Sequence, residues 1–414
     1  MSLDRLKALQ HEMQKCVRCS LCKLVPMPTI QQSRFTSACP PVDEYHFHAY
    51  SGGGIQVMAL ALLDGRITVD HDLAQIVSAC TTCGMCDVSC KFIMAAERQE
   101  VIIALKEHIA ESGFGAASKE ELKPEPKPWA KGMKIKTLPG SRAEVLLYAG
   151  AGANYDPVHA AAARKLAELL LLSRVDFGIL DGIEPESGID AYWTGQHNVF
   201  EIQARHVVDR LDASGAQTVV TLCGEDLGML RSKVPQAYRA TRGKVVHASE
   251  FLLSLIQRKK LRLKRSIHQT VTYHDPCYLG RQSEPRQEWQ GEKRRTHGVM
   301  HYFVPPKPIN YGTRGVFDAP RQLIRSLPGI RFIEMHRVRE YAYCCGGGGG
   351  VPEAHPHVAR SAAFQRLEEA HDVGAEMLIT ACQHCRYNFT RWDDGAAMPV
   401  VDLVDLVYQA SGLG

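Results

Sequence analysis

The chain has 414 residues, of which 45% are hydrophobic and 23% are charged, so we expect a globular protein of two or three domains. Its net charge of +4 is too balanced to indicate a nucleic-acid or membrane-surface partner. No apolar run reaches the roughly 18 residues that a membrane-spanning helix needs. The charged N-terminus lacks the apolar core of a signal peptide, so we expect a cytoplasmic protein.

The first part of the chain, residues 1–113, is predicted to be helical and ferredoxin-like, with two cysteine-rich loops between the helices. Residues 54–63 and 95–112 are rich in Ala, Leu, Ile, Glu and Lys, which favour helix. Residues 114–142 contain closely spaced prolines and several lysines, a composition typical of an extended linker.

Beyond the linker, short apolar strands alternate with helices, which is typical of α/β layers with a mainly parallel sheet. Strands are predicted at 144–149, 217–222, 269–273, 330–334 and 377–380, and helices at 160–172 and 357–371. Residues 215–230 align with 374–389, and an earlier pair of segments matches in the same order. The pattern predicts two pseudo-symmetric α/β units, 143–265 and 266–414.

Fourteen cysteines are the unusual feature of the composition. Disulfides are rare in a reducing compartment, so clustered cysteines there indicate metal binding or redox chemistry. Thirteen of the fourteen fall into three groups, and Cys223 stands alone. The first group is Cys16, Cys19, Cys22 and Cys39, and the second is Cys80, Cys83, Cys86 and Cys90. The third group is Cys277, Cys344, Cys345, Cys382 and Cys385.

The second group has the spacing C-x2-C-x2-C-x3-C, which is typical of cubane [4Fe–4S] binding in two-cluster ferredoxins. In such proteins the fourth cysteine of each run binds the other cluster. We therefore predict one cubane on Cys16, Cys19, Cys22 and Cys90, and a second on Cys80, Cys83, Cys86 and Cys39. A pair of zinc sites is the alternative, which the two triplets of identical spacing disfavour.

The third group places five thiolates at predicted strand ends, which suggests a larger or bridged iron–sulfur assembly. Five glycines, 346–350, follow the paired cysteines directly. We expect Gly346, Gly347 and Gly348 to let the backbone approach the cofactor and to leave an open face for a substrate sulfur. A flexible loop or a phosphate-binding nest is the alternative interpretation of these glycines.

The pattern Cys277 … Cys344-Cys345-Gly346 … Cys382-x2-Cys385 resembles the CCG domain of heterodisulfide reductases and their relatives. With the ferredoxin-like front part, the resemblance covers nearly the whole chain. It extends to the fused catalytic subunit of that family, and to the cysteine-rich subunits of sulfite-reduction-associated membrane complexes and of benzoyl-CoA reductase complexes. The resemblance implies that the five cysteines hold a noncubane [4Fe–4S] cluster that attacks a disulfide.

The chain departs from the family pattern in the first unit. Glu186-Ser187 replaces the expected paired cysteines, and the expected C-x2-C reads Cys223 to Asp226. We therefore expect no cluster in this unit, and we expect Cys223 to be a remnant that packs as a small apolar residue. In the second unit, residues 282–314 are an apparent insertion, which we predict to form a lid or a docking surface.

His274 and His384 flank cysteines of the third group and are candidate proton donors, since imidazole titrates near neutrality. The alternative is that they order the loops through hydrogen bonds. No flavin or nicotinamide fingerprint accompanies these residues, because the glycine runs lack the strand–GxGxxG–helix context.

The leading hypothesis is a heterodisulfide-reductase-like oxidoreductase subunit that acts on a disulfide, a thiol or a related acceptor. The alternative is a pure electron-transfer subunit that passes electrons to a partner without disulfide chemistry of its own; a zinc-stabilised scaffold is a third. The resemblance implies partner redox subunits in an anaerobic complex: a flavoprotein, a ferredoxin-like or a membrane quinone-linked subunit. It also allows attachment at the inner membrane through such a partner.

Overall fold

The computed structural model describes residues 2–115, 125–285, 287, 289–296, 300–392 and 398–414. Its N-terminal domain, residues 2–115, is helical. The helices are α1 (Ser2–Ala8), α2 (Gln10–Gln14), α3 (Pro40–Tyr45), α4 (Gly52–Leu63), α5 (His71–Ser78), α6 (Met85–Met94) and α7 (Arg98–Ile109). Apolar side chains of α1, α4, α5 and α7, such as Leu6, Ile55 and Ile102, form its core.

Local capping sets where these helices begin. The hydroxyl of Ser51 accepts a hydrogen bond from the Gly54 N–H at the start of α4, and Asp70 caps α5 in the same way. The predicted helix at 95–112 begins later, at Arg98, because Ala95 adopts a left-handed conformation (φ 49°) that ends α6.

The first α/β unit is built on a parallel sheet with the strand order β1-β3-β2-β4-β5. The strands are β1 (Lys136–Leu138), β2 (Val145–Tyr148), β3 (Phe177–Leu180), β4 (Thr218–Thr221) and β5 (Lys244–His247). The helices around this sheet are α8 (Pro157–Leu172), α9 (Ile189–Thr194), α10 (His197–Ala213), α11 (Gly224–Gly228), α12 (Val234–Ala237) and α13 (Ala248–Gln257).

The second α/β unit has a parallel sheet with the order β11-β10-β6-β9. The strands are β6 (Gln269–Tyr273), β9 (Ile330–Phe332), β10 (Met377–Thr380) and β11 (Val400–Asp402). The helices are α14 (Asp318–Ser326), α15 (Val351–Ala354), α16 (Pro356–Asp372), α17 (Gln383–Thr390) and α18 (Leu403–Ser411). The order β9-β6-β10-β11 repeats the order β3-β2-β4-β5 of the first unit, so the predicted fold class with two pseudo-symmetric units is confirmed.

The structure also differs from the prediction in the linker. Residues 136–138, within the predicted linker, form edge strand β1, whose Leu138 is fully buried beside β3. Because lysines and prolines surround this short strand, the composition of the segment does not reveal its one buried apolar residue. Residues 116–124 of the same linker lie outside the described residues. In the insertion, β7 (Glu292–Thr296) and β8 (Met300–Val304) form an antiparallel hairpin.

Within the part of the chain that the structure describes, no helix combines the length and the apolar character that crossing a bilayer requires.

Candidate metal centres

The N-terminal domain contains a cavity whose lining joins cysteines from its two sequence groups. Four thiols line it: Cys16, Cys19, Cys22 and Cys90. Cys90 comes from the middle of α6, whereas the other three come from the loop after α2 and the short 3-10 turn that follows. Cys19 is solvent-exposed, so this site lies at the molecular surface.

The lining of this first site suits a negatively charged iron–sulfur cluster. Arg98 at the start of α7 lines the cavity and is 2% exposed. Apart from the Cys90 thiol that the guanidinium faces, its buried Nε and Nη1 have no hydrogen-bond acceptor among the described atoms. Buried donors are almost always paired, so an anionic group with sulfur acceptors is the fitting partner.

A second cavity joins the remaining N-terminal cysteines: Cys39, Cys80, Cys83 and Cys86. Cys39 precedes Pro40, the first residue of α3, and the other three lie on the loop that leads into α6. Burial raises the pKa of both Cys39 and Cys86 well above its ordinary value. Thiolates in this site therefore need a compensating cation, which a bound metal cluster supplies.

The two cavities are neighbours. A Cβ placed on Gly52 would lie 2.8 Å from the Sγ of Cys86, and one placed on Gly53 would lie 3.3 Å from the Sγ of Cys22. Consecutive glycines at the start of α4 thus contact one cysteine of each site. Two clusters bound at these sites would be separated by the backbone of Gly52 and Gly53.

The third group of cysteines comes together at the carboxyl ends of β6 and β10. Its members are Cys277 after β6, Cys344 and Cys345 after the 3-10 turn Arg339–Tyr341, and Cys382 and Cys385 at the start of α17. Cys345, Cys382 and Cys385 pack in one buried cluster, and Cys344 is buried in a second cluster against which Cys277 packs. All five except Cys277 are buried.

The third group also contacts the second cavity, because Cys344 and Cys83 pack in one buried cluster. Arg281 lies in the same place: its Nε donates to the Cys83 carbonyl (2.7 Å) and its Nη1 to the Ala342 carbonyl (2.8 Å). Its buried Nη2 has no acceptor among the described atoms. A buried guanidinium thus stands between the two cysteine sites and can donate to an anionic group.

Two residues of the glycine run, Gly348 and Gly349, are buried where the run packs on the N-terminal domain. A Cβ on Gly348 would lie 2.8 Å from the Thr81 carbonyl oxygen, and one on Gly349 would lie 2.3 Å from that of Cys80. Lys106 ties the same junction, since its Nζ donates to the carbonyls of Cys80 (3.0 Å) and Gly349 (3.2 Å). These glycines allow the loop after Cys345 to pack on the second cubane site.

The other predicted cofactor-binding glycines are nearer the cysteines. The N–H of Gly346 donates to the Sγ of Cys344, and that of Gly347 to the Sγ of Cys345, each at 3.3 Å. Gly346 has φ 88°, which a side chain adopts only with strain. Both residues therefore present backbone donors to the paired thiols, and hydrogen bonds to sulfur of this kind tune the potential of iron–sulfur sites.

His274 is buried and forms part of a structural network. Its Nδ1 accepts from Arg366 Nε (3.2 Å), and Arg366 pairs with the buried Glu369. Burial, reinforced by Arg366, lowers the pKa of His274 well below its ordinary value, so the ring is neutral near pH 7. One of its ring nitrogens lies within 4.8 Å of the thiols of Cys345 and Cys385.

His384 is more accessible, with 43% of its side chain exposed, and its Nδ1 forms an ion pair with Glu225. Burial opposes its protonation, but the Glu225 carboxylate raises the pKa of His384 well above its ordinary value. The structure thus places both predicted histidines beside the third group of cysteines. The ring of His274 is neutral, and the ring of His384 is paired with Glu225.

Cys223 lies against the third group rather than apart from it: its Sγ is 3.7 Å from the Sγ of Cys382. The position that a cluster of the first unit would take is filled by acidic side chains. Glu184 accepts from the Gly150 N–H (2.7 Å), and Asp226 hydrogen-bonds with Ser187.

Sequence reasoning did not find Arg98, Lys106 or Arg281. A single buried Arg or Lys does not belong to a repeated spacing that could identify it. Of the three, only Arg281 lies in a motif, at the end of HDPCYLGR. The role of each side chain depends on the carbonyl group or thiol that it faces, and the tertiary fold determines that partner.

Two protein families match this chain. The family described as 4Fe-4S dicluster domain matches residues 12–92, and the family described as cysteine-rich domain (CCG) matches residues 302–390. The first match contains all eight N-terminal cysteines. The second begins after Cys277 and contains the other four cysteines of the third group.

Similar curated proteins have redox names. The chain is 29% identical to one of the subunits of the dihydromethanophenazine:CoB–CoM heterodisulfide reductase of Methanosarcina mazei, over 97% of this chain and 95% of that protein. It is 25% identical to "Probable iron-sulfur-binding oxidoreductase FadF" of Bacillus subtilis, over 87% of this chain and 50% of that protein. It is 24% identical to "EtfAB:quinone oxidoreductase" of Syntrophomonas wolfei, over 59% of this chain and 31% of that protein.

Proposed function

The chain is a homologue of this heterodisulfide reductase polypeptide with a 4Fe-4S dicluster domain and a cysteine-rich domain, and on this premise we propose that it is an electron-conducting subunit that ends in a catalytic centre. It is an iron–sulfur oxidoreductase subunit, as its named relatives are. In our proposal two cubane [4Fe–4S] clusters pass electrons to a noncubane [4Fe–4S] cluster, which acts on a disulfide, a thiol or a related acceptor.

The contact between Cys83 and Cys344 is the observation that carries this proposal. It brings a proposed ligand of the second cubane and a proposed ligand of the third centre into one buried cluster. The first cubane site, with its exposed Cys19, is the natural point of electron entry. The second is the intermediate station, and Cys277, Cys344, Cys345, Cys382 and Cys385 hold the terminal cluster.

The chemistry at the terminal cluster is a two-electron step, because reducing a disulfide gives two thiols and consumes two electrons and two protons. Each cubane delivers one electron at a time, so the third centre has to hold the first electron until the second arrives. His384 is the partly exposed group beside Cys382 and Cys385, and we propose that it hydrogen-bonds an incoming sulfur there.

A second candidate function, a pure electron relay, is favoured by the packing of the glycine run. Gly348 and Gly349 lie against the Cys80–Thr81 backbone, so these two glycines do not themselves line an opening. In this function the third centre would pass electrons onward to the flavin, quinone or metal site of a partner subunit.

The first experiment is an iron determination on protein purified without oxygen. Three four-iron clusters give about twelve irons per chain. About eight irons, with both cubane signals present, would remove the terminal cluster and the proposal with it. About sixteen would mean that the first unit is occupied as well.

The second experiment separates catalysis from relay. Mercaptoethanol and its disulfide are added to the oxidised and to the reduced protein, and the spectrum of the third centre is recorded. We expect a thiol-dependent change in the wild type and none in Cys344→Ser, the control that disrupts this centre. A spectrum that no thiol or disulfide alters, combined with normal electron transfer, supports the relay instead.

Partner subunits and location follow from the same proposal. A flavoprotein, a ferredoxin-like protein or a membrane quinone-linked subunit would dock near Cys19, where the exposed Val17 and Ile93 offer apolar contact area. Such a partner could hold this chain at the inner membrane surface. Subunits that co-purify with the chain identify which of these is present.

A further inference from the structure

The strongest unexplained feature of the molecule is the position of Cys223. This cysteine belongs to the first α/β unit, yet its Sγ lies 3.7 Å from the Sγ of Cys382 in the second unit. It is 2% exposed and packs in one apolar cluster with Cys345, Cys382 and Cys385. A remnant that served only as packing would not need to meet a thiol of the other unit.

Pseudo-symmetry explains how the two thiols meet. Cys223 comes two residues after β4 and precedes α11, and Cys382 comes two residues after β10 and precedes α17. Equivalent strand ends of the two units therefore face each other. Gly224 permits the close approach, because a Cβ there would lie 2.8 Å from the Cβ of Leu279 in the second unit.

The sulfur–sulfur distance suits a shared metal ion as well as the S–H···S hydrogen bond that the two free thiols form. Two thiolates bound at about 2.3 Å to one tetrahedral metal ion lie about 3.8 Å apart. The observed separation matches that value. It is far longer than a disulfide bond, which measures about 2.0 Å.

Glu225 is the neighbouring carboxylate that could compete with the Cys223 sulfur for a metal ion. The carboxylate of Glu225 comes within 4.8 Å of both thiols, but it is engaged by the His384 ring in an ion pair. The Cys223 thiol is thus the group at this position whose sulfur suits iron and faces the cysteines of the third group.

We propose that Cys223 is a sixth cysteine ligand of the terminal iron–sulfur centre, supplied by the otherwise degenerate first unit. In this arrangement Cys223 would lose its thiol proton, and the thiolate would take a coordination position on iron that the other five cysteines leave open, so no ligand would have to leave and no oxidation state would change. The bond joins the two α/β units across the cluster. This inference rests on the proposed presence of a third centre.

The direct test places selenocysteine at position 223 of the full chain and records selenium X-ray absorption without oxygen. An iron neighbour in the first shell of selenium supports the proposal. A shell of carbon alone, in protein that retains about twelve irons, overturns it and leaves the proposed function intact. About eight irons would instead overturn the third centre and this ligand together.

A variant provides a second readout. We expect Cys223→Ser to change the electron paramagnetic resonance signal of the third centre and to speed the loss of its iron to a chelator at least several-fold. The two cubane signals should not change. Leu222→Val is the matched control, since it also removes bulk from this buried corner but no sulfur. Equal behaviour of the two variants would overturn the proposal, and the selenium measurement decides if Cys223→Ser does not fold.

Discussion

Arg281 donates a hydrogen bond from its Nε to the carbonyl oxygen of Cys83 across 2.7 Å, and so joins the second α/β unit to the loop of the second cubane site. The guanidinium is 6% exposed and also donates to the carbonyls of Glu340 and Ala342, just before the paired cysteines. One side chain therefore fixes the relative position of two cysteine sites and places a positive charge between them.

Removing this charge should make both neighbouring clusters harder to reduce. A hydrogen bond to a charged group contributes about 1.5–3 kcal/mol, which corresponds to about 60–130 mV for one electron. We expect Arg281→Met to lower the midpoint potentials of the second cubane and of the third centre by amounts of this order, measured by redox titration. Arg66→Met is the control, because Arg66 is a surface residue paired with Asp64. Unchanged potentials in Arg281→Met would show that its charge does not act on the clusters.

Ligand exchange between the cubanes predicts which cluster each variant loses. We expect Cys90→Ser to lose about four irons and the signal of the exposed cluster, because Cys90 shares its cavity with Cys16, Cys19 and Cys22. Cys39→Ser is the mirror variant, and it should lose the cluster of the other cavity. Iron counts with electron paramagnetic resonance measure both. If Cys90→Ser instead removed the Cys80 cluster, the fourth cysteine would bind locally.

Gly348 should be required for domain packing rather than for substrate access. We expect Gly348→Ala to lower the free energy of unfolding by about 1–3 kcal/mol, because its Cβ would overlap the Thr81 carbonyl oxygen. Denaturant unfolding under argon measures this loss. Gly140→Ala is the control, since a Cβ at this exposed glycine meets only an ordinary contact of 3.7 Å. Equal stability of the two variants would contradict the packing role.

Glu184 should make the protein less stable as the pH rises. Burial raises the pKa of Glu184 from 4.5 to about 8, against the opposing hydrogen bond from Gly150. Folding therefore favours the neutral acid, whose stabilising effect is complete below pH 4.5 and is lost as the pH rises through 8. We expect Glu184→Gln to reduce the fall in melting temperature between these pH values. A pH profile identical to that of the wild type would assign the dependence to other groups.

The expected cluster content of the N-terminal domain follows from local spacing. The two C-x2-C-x2-C triplets predict cubane sites because the three thiols of each triplet sit on one short loop. The repeated segments likewise predict two related α/β units, because strand and helix patterns are local properties of the chain. Predicted strand 377–380 coincides with β10, whose four residues carry the apolar pattern by themselves.

Only the tertiary structure brings together residues that are far apart in sequence. Cys83 meets Cys344, Cys223 meets Cys382, and Arg281 reaches the Cys83 loop because three separately folded parts pack on one another. No periodicity or spacing records how such parts are oriented. For the same reason the glycines after Cys345 could be interpreted as an opening, although packing buries Gly348 and Gly349 against the second cubane loop. The sequence thus determined which ligands each local motif offers, and the packing of the domains decided which of them share a site.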